Sequence, residues 1–148
     1  MSKRRSNYIR VPIHFVWTTH QRLPLIPESG EKTLWRYIEG ICRDIGCDVL
    51  AVGGRPDHVH VFVNLSNTVS LAEVMKRVKG GSSGFVSEKL RNSEWFGWLE
   101  NYGATAVSPD AIPRVIEYIF HQKEHHANGT TIPEWEQTYD EREVDDKE

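Results

Sequence analysis

The segment 58–65, HVHVFVNL, alternates with a period of two and limits the fold more than any other stretch. Such a pattern suits an extended strand, in which successive side chains point to opposite faces of a sheet. Val59, Val61 and Val63 then share one face, and His58, His60 and Phe62 share the other. A strand of this kind packs one face on helices and offers the other as a platform for chemistry.

The neighbouring segments fit around that strand. Residues 47–52 read as another strand, and the intervening GGRPD is a turn signal, so the two form an antiparallel hairpin. Residues 10–18 read as a first strand despite Pro12 near its start. From Glu31 to about Ile45, Leu34, Ile38, Ile41 and Ile45 fall on one side of a helix that Gly46 is placed to stop. Ser70 and Glu73 have capping-box spacing, ahead of Leu71, Val74, Met75 and Val78. The KGGSSG stretch at 79–84 allows either a kink in one helix or a loop between two. A fourth strand, with or without a distorted fifth, is expected between Trp95 and Val107. A last helix starts at Asp110 or at Ser108-Pro109, tolerates Pro113 in its first turn, and runs to about Ala127 before Asn128-Gly129. The order β-α-β-β-α-β-α predicts an α+β fold: a ferredoxin-like antiparallel sheet with helices packed mainly on one face.

A chain of 148 residues is expected to form one domain with one core, and no internal repeat appears. Cys42 and Cys47 provide neither a disulfide framework nor a paired metal motif, and read as core thiols. With no signal-peptide pattern and no apolar run of membrane-spanning length, a cytoplasmic location without membrane association is expected. The net charge is −3, but residues 134–148 hold eight acids and two bases, leaving +3 on the remainder. The division expected is therefore a folded domain over 1–133 and an acidic, solvated tail over 134–148.

Two pairs of residues carry chemistry. His58 and His60 would stand side by side and could share a divalent ion, although strand histidines often make only ordinary hydrogen bonds. Tyr118 and Gln122, four residues apart, share a helix face and offer a phenol and an amide oxygen. Mixed nitrogen and oxygen ligands with open positions suit Mg²⁺ or Mn²⁺ better than a closed zinc site. His121 and His125 are themselves spaced to bind a metal on a helix, and His125 could replace Gln122 as the third ligand. Other roles for these two histidines and for His126 are phosphate contact or helix-end electrostatics. His14, on the first strand, is either an active-site neighbour or a core residue.

Together these residues resemble the single-tyrosine transposases of the IS200/IS605 type, within the histidine-hydrophobe-histidine nuclease superfamily. The resemblance spans most of residues 10–130. It runs through IHFVWTTHQRLPLI, RPDHVHVFVNL, VSLAEVMKRVKGGSSGFV and WLENYGATAVSP, and ends in VIEYIFHQKEHH. It implies that His58, His60 and Gln122 hold the metal and that Tyr118 is the nucleophile. It further implies cleavage and rejoining of single-stranded DNA at insertion-element ends through a 5′-phosphotyrosine, with a free 3′-hydroxyl. Hairpin-bearing ends and a homodimer, with Tyr118 acting in cis or in trans, belong to the same expectation, and Gly103 is a candidate site for exchange of the tyrosine helix. A phenol with an ordinary pKa of about 10 needs a proton acceptor or metal assistance, and the sequence names no certain base.

Lys76, Arg77, Lys79, Ser82 and Ser83 are the expected DNA surface, where cations neutralise phosphates and small residues allow close approach. Arg22, Arg55 and the initial Lys3-Arg4-Arg5 add positive field. Trp95, Trp98 and Tyr102 either stack on bases or pack in the core, with the core expected for the two tryptophans. Three other readings compete: a replication or mobilisation nuclease with the same chemistry, a silent nucleic-acid-binding protein, and a regulatory metal binder.

Overall fold

A computed structural model describes residues 7–140; the expected contributions of Lys3-Arg4-Arg5 and of the tail beyond Asp140 lie outside them. The elements are β1 (Pro12–Thr18), α1 (Glu31–Asp44), β2 (Asp48–Arg55), β3 (His58–Asn64), α2 (Leu71–Phe85), β4 (Gly103–Ala106), α3 (Ile112–Phe120), α4 (Gln122–Asn128) and α5 (Pro133–Glu136). The strands form one antiparallel sheet in the order β2-β3-β1-β4, the ferredoxin-like arrangement. β3 lies between β1 and β2 in a register that sets His60 opposite Val16 and Gly53, and His58 opposite Thr18 and Arg55.

The period-two pattern sorts the side chains as expected. Phe15 and Trp17 of β1 and Val59, Val61 and Val63 of β3 are fully buried beneath α1 and α2, against Leu34, Ile38, Val74 and Val78. On the opposite face a smaller cluster of Ala51, Phe62, Val107, Val115 and Ile119 seats α3. The larger helices thus cover one face, and the short C-terminal ones cover part of the other. Ser70 caps α2 by accepting the Glu73 N–H at 3.0 Å, as the capping box requires. Gly46 and Gly129 end their helices in left-handed conformations. Among the described residues no helix is long and apolar enough to cross a membrane.

Four expectations change. The KGGSSG stretch is neither a kink nor a loop: α2 runs unbroken through it and ends in a π-type turn over Val86–Leu90. The expected single C-terminal helix is interrupted at His121 (φ −113°, ψ 35°), which separates α3 from α4. Trp95 is 61% exposed and not in the core, whereas Trp98 packs edge-on against Trp17 and donates its indole N–H to Ser82 Oγ at 2.9 Å. Finally, the start of the expected acidic tail is not detached. Residues 133–136 form α5 on the sheet beside β1 and β4, Trp135 packs on Tyr118, and Thr138 is buried.

Gly103 makes that docking possible. A Cβ built there would stand 2.0 Å from the Gln137 carbonyl oxygen, a backbone atom that cannot rotate away. Gly103→Ala should therefore push residues 133–140 off the sheet at a cost of about 1–3 kcal/mol. Hydrogen exchange should quicken in that segment and stay slow in β1 and β3; unchanged protection across 133–140 would contradict the packing described.

Candidate active site and metal centre

The site is built on the face of the sheet opposite α1 and α2. β3 presents His58 and His60 together, their ring centroids 5.0 Å apart and both rings buried. Each ring is oriented from behind. Asp57 Oδ1 lies 2.7 Å from His58 Nδ1, and His14 Nε2 lies 2.8 Å from His60 Nδ1. The carboxylate, which can only accept, fixes the tautomer of His58, His14 fixes the orientation of His60, and both Nε2 atoms are left facing the site. Arg22 approaches Asp57 at 3.7 Å and steadies the first of these pairs.

Three further elements close over the histidines. α3 brings Tyr118, α4 opens with Gln122, and α5 brings Glu136. The break at His121 does not part the first two, because the Gln122 amide donates to the Tyr118 carbonyl at 3.0 Å. That bond turns Gln122 Oε1 towards His58 Nε2, 3.0 Å away. Glu136 lies 3.5 Å from His58 Nε2 through Oε1 and 3.3 Å from His60 Nε2 through Oε2. The Tyr118 hydroxyl donates to Glu136 Oε2 and accepts the Ile132 N–H at 3.1 Å.

The donor set fits a cation. With Asp57 accepting the Nδ1–H of His58, the atoms facing inwards are an imidazole lone pair, an amide oxygen and a carboxylate, all acceptors. His60 Nε2 is buried without a hydrogen-bond partner. Grouped acceptors repel one another unless a proton or metal ion lies between them. His58, His60 and Glu136 offer ligand atoms all within 4.8 Å of one another.

Burial and neighbouring charge separate the protonation states. Burial holds the His60 imidazole below its ordinary pKa, the form a metal ligand needs. Burial, with His60 beside it, pushes His14 down to about 3. Burial works to raise the Glu136 carboxyl, but the His60 ring beside it, the hydrogen bond it accepts from Tyr118 and the nearby His58 hold it at about 2. The Tyr118 phenol is pushed above its usual range by burial and by its bond to the Glu136 carboxylate.

The expected neighbours divide. His14 is in the site. His121 is exposed, with Nδ1 2.9 Å from the Glu117 carbonyl, and stands apart from it. His125 lies against the Tyr118 ring (centroids 4.8 Å apart), but its nitrogens face Thr130 and Glu117, so Gln122 and not His125 points an atom at His58. Three residues not expected there are present. Asp57, which the sequence marks only as part of a turn, orients His58. His126 reaches Gln122 Oε1 at 3.1 Å. Glu136 was concealed in the acidic run.

The expected DNA surface also divides. Arg55 flanks His58 across the hairpin, and Arg22 stands beside Asp57. Lys76 and Arg77 are exposed, but on α2 and thus across the sheet from the histidines. Lys79 is committed to the Leu99 and Glu100 carbonyls at 2.6 and 2.8 Å. Ser82 is buried and donates to the Val78 carbonyl at 2.6 Å. Ser83 faces the Gly80 carbonyl at 3.5 Å within the helix. Lys79 and Ser82 therefore tie α2 to the segment around Trp98.

The depressed pKa of His14 has a consequence for stability. The unfolded chain takes up a proton at this ring near 6.5, whereas the folded chain resists until about 3, so the unfolded state binds more protons between those values. Glu136 acts in the same sense between 4.5 and about 2. Stability of the metal-free protein should thus fall as pH drops below 6.5. Denaturant titrations of His14→Asn should show a shallower decline between pH 6.5 and 4.5; an unaltered slope would mean that His14 is not held neutral.

A family model for IS200-like transposases matches residues 7–122. The ISDra2 transposase TnpA of Deinococcus radiodurans is 24% identical over 124 residues, covering 80% of this chain and 89% of that protein. A crystal structure of a protein from Deinococcus radiodurans R1, described as a transposase, superposes with a TM-score of 0.63 at 22% identity, over 82% of this chain and 98% of the other. A REP-associated tyrosine transposase bound to a REP hairpin gives 0.57 at 16% identity, over 88% and 76%. These two structural likenesses speak to the fold. The family match takes in His58, His60, Tyr118 and Gln122, and because it covers well over half of the sequence, the chain belongs to the IS200-like tyrosine transposases.

Proposed function

We propose that this transposase cleaves and rejoins single-stranded DNA at insertion-element ends through a 5′-phosphotyrosine, with the help of Mg²⁺ or Mn²⁺. The observation that carries this reading is the meeting of the buried His58 and His60 Nε2 atoms, two side-chain oxygens and the Tyr118 hydroxyl on one face of the sheet. His58, His60 and an oxygen of Gln122 or Glu136 would hold the ion, which when bound polarises the scissile phosphate and offsets charge developing on its oxygens.

Tyr118 Oη attacks phosphorus. The Tyr118 O–P bond forms, the bond from phosphorus to the 3′ oxygen breaks, and that oxygen leaves as a 3′-hydroxyl after taking up a proton. Glu136 is the group that receives the phenol's hydrogen bond, and so the acceptor nearest its proton. Attack of another 3′-hydroxyl on the phosphotyrosine reverses the exchange and joins strands without an external energy source. Tyr118 lies over its own chain's His60, with ring centroids 5.8 Å apart, which favours action in cis even if the protein is a homodimer.

Arg22 and Arg55 are placed to meet phosphates entering beside His58, while Lys76 and Arg77 could serve only DNA passing the far side of the sheet. The hairpin on the REP-associated transposase supports a hairpin-bearing substrate here. The catalytic unit then extends at least to Glu136, past the expected boundary at residue 133.

Two outcomes test the reading. Incubated with Mn²⁺ and labelled single-stranded element-end DNA, the protein should yield a denaturant-stable adduct that Tyr118→Phe abolishes while still binding the DNA; an adduct persisting in that variant would remove Tyr118 as nucleophile. Asp57→Asn, which loses the carboxylate orienting His58, should weaken Mn²⁺ binding by about 10- to 100-fold in electron paramagnetic resonance titrations. Unchanged affinity would mean that His58 is not a ligand.

A further inference from the structure

A cavity of about 370 Å³ opens at the outer edge of the sheet, between α1, β2 and the junction of α3 and α4. It adjoins the proposed metal centre, because Gln122, whose Oε1 faces His58, also lines it. Its floor includes the bare backbone of Gly53 and Gly54. A Cβ at Gly53 would stand 2.6 Å from the Ile119 carbonyl, so only glycine lets α3 come this close to β2. Two aromatic side chains contribute to the lining: Trp35, which is partly buried, and Phe120, which is 59% exposed.

The polar lining has a sign and a direction. Lys32, Arg36 and Lys123 are exposed around the cavity and can meet backbone phosphates. Of the two acids, Glu39 is engaged with Arg43 at 3.6 Å. Glu31 is different: its Oε1 is buried without a hydrogen-bond partner, an acceptor that lacks a donor.

We propose that this cavity receives one unstacked nucleobase carrying an exocyclic amino group, from the strand beside the scissile phosphate. The proposal rests on the function proposed above and names part of its substrate specificity. Phe120 and Trp35 supply stacking surface, which is sequence-tolerant. Glu31 supplies the discrimination, because cytosine, adenine and guanine each present an amino donor. Thymine presents its N3–H between two carbonyl oxygens, which a carboxylate repels.

The test uses the full chain and fluorescence anisotropy with labelled oligo(dT) of about 12 nucleotides, unmodified or carrying a single dC, dA or dG. The substituted strands should bind about tenfold more tightly than plain oligo(dT). Phe120→Ala should weaken binding to all of them by about tenfold, the scale of one lost base stack. Glu31→Gln, whose amide can donate as well as accept, should bring the four bases within about twofold of one another. Indifference of the wild type to base identity, or a preference surviving Glu31→Gln, overturns the proposal. So does a Phe120→Ala variant that alters mass in light scattering and leaves DNA affinity intact, which would make this face an interface between two copies. The wild-type adduct assay keeps the two readings apart: an adduct without base preference removes the cavity assignment alone, and base preference without an adduct removes the phosphotyrosine reading alone.

Discussion

Strand β3 is hydrogen-bonded along both edges and buried on both faces, and the rest of the molecule is arranged around that constraint. A strand so enclosed cannot leave polar side chains to water. Its valines face α1 and α2, while its imidazoles face inwards where every nitrogen needs a partner. Asp57 and His14 meet that need on the outer side of the two rings. On the inner side the need is met only by acceptors, and this makes the centre receptive to positive charge.

The electrostatics of the site follow from the same enclosure. Without a cation, the proton between Tyr118 and Glu136 belongs firmly to the phenol, because burial raises one group and the histidines hold the other down. A positive ion among these ligands favours every anionic form around it, the phenolate included. In the proposed reaction, metal binding and the readiness of Tyr118 would thereby be linked through one carboxylate. The geometry of that link depends on a glycine in β4 that accepts the backbone of residue 137 against it.

Much of this architecture was legible in the amino-acid pattern. The alternation in 58–65 identified the central strand and its two chemically distinct faces, and the Ser70–Glu73 spacing located the start of α2. Local rules were weaker where tertiary contacts decide. The KGGSSG stretch stays helical because α2 is held by Ser82 and Lys79 bonding to the chain around Trp98, which no local propensity records. Glu136 was hidden for a related reason: one acid among eight looks solvated, and only the docking of Trp135 against Tyr118 turns it inwards. Asp57 carried a signal in its position directly before His58, since metal-binding imidazoles commonly lean on a carboxylate.

The interruption of the last helical region at His121 has a bearing on how the protein is made. Because the chain turns there and again before α5, the groups of the site come from β3, α3, α4 and α5, with His58 and Glu136 at opposite ends of a long stretch of sequence. A chain emerging from the ribosome exposes its paired imidazoles well before the phenol, amide and carboxylate exist to meet them. The site is thus complete only once synthesis has passed the last short helix, and a product ending before α3 retains a histidine-bearing hairpin with no phenol, amide or carboxylate to face it.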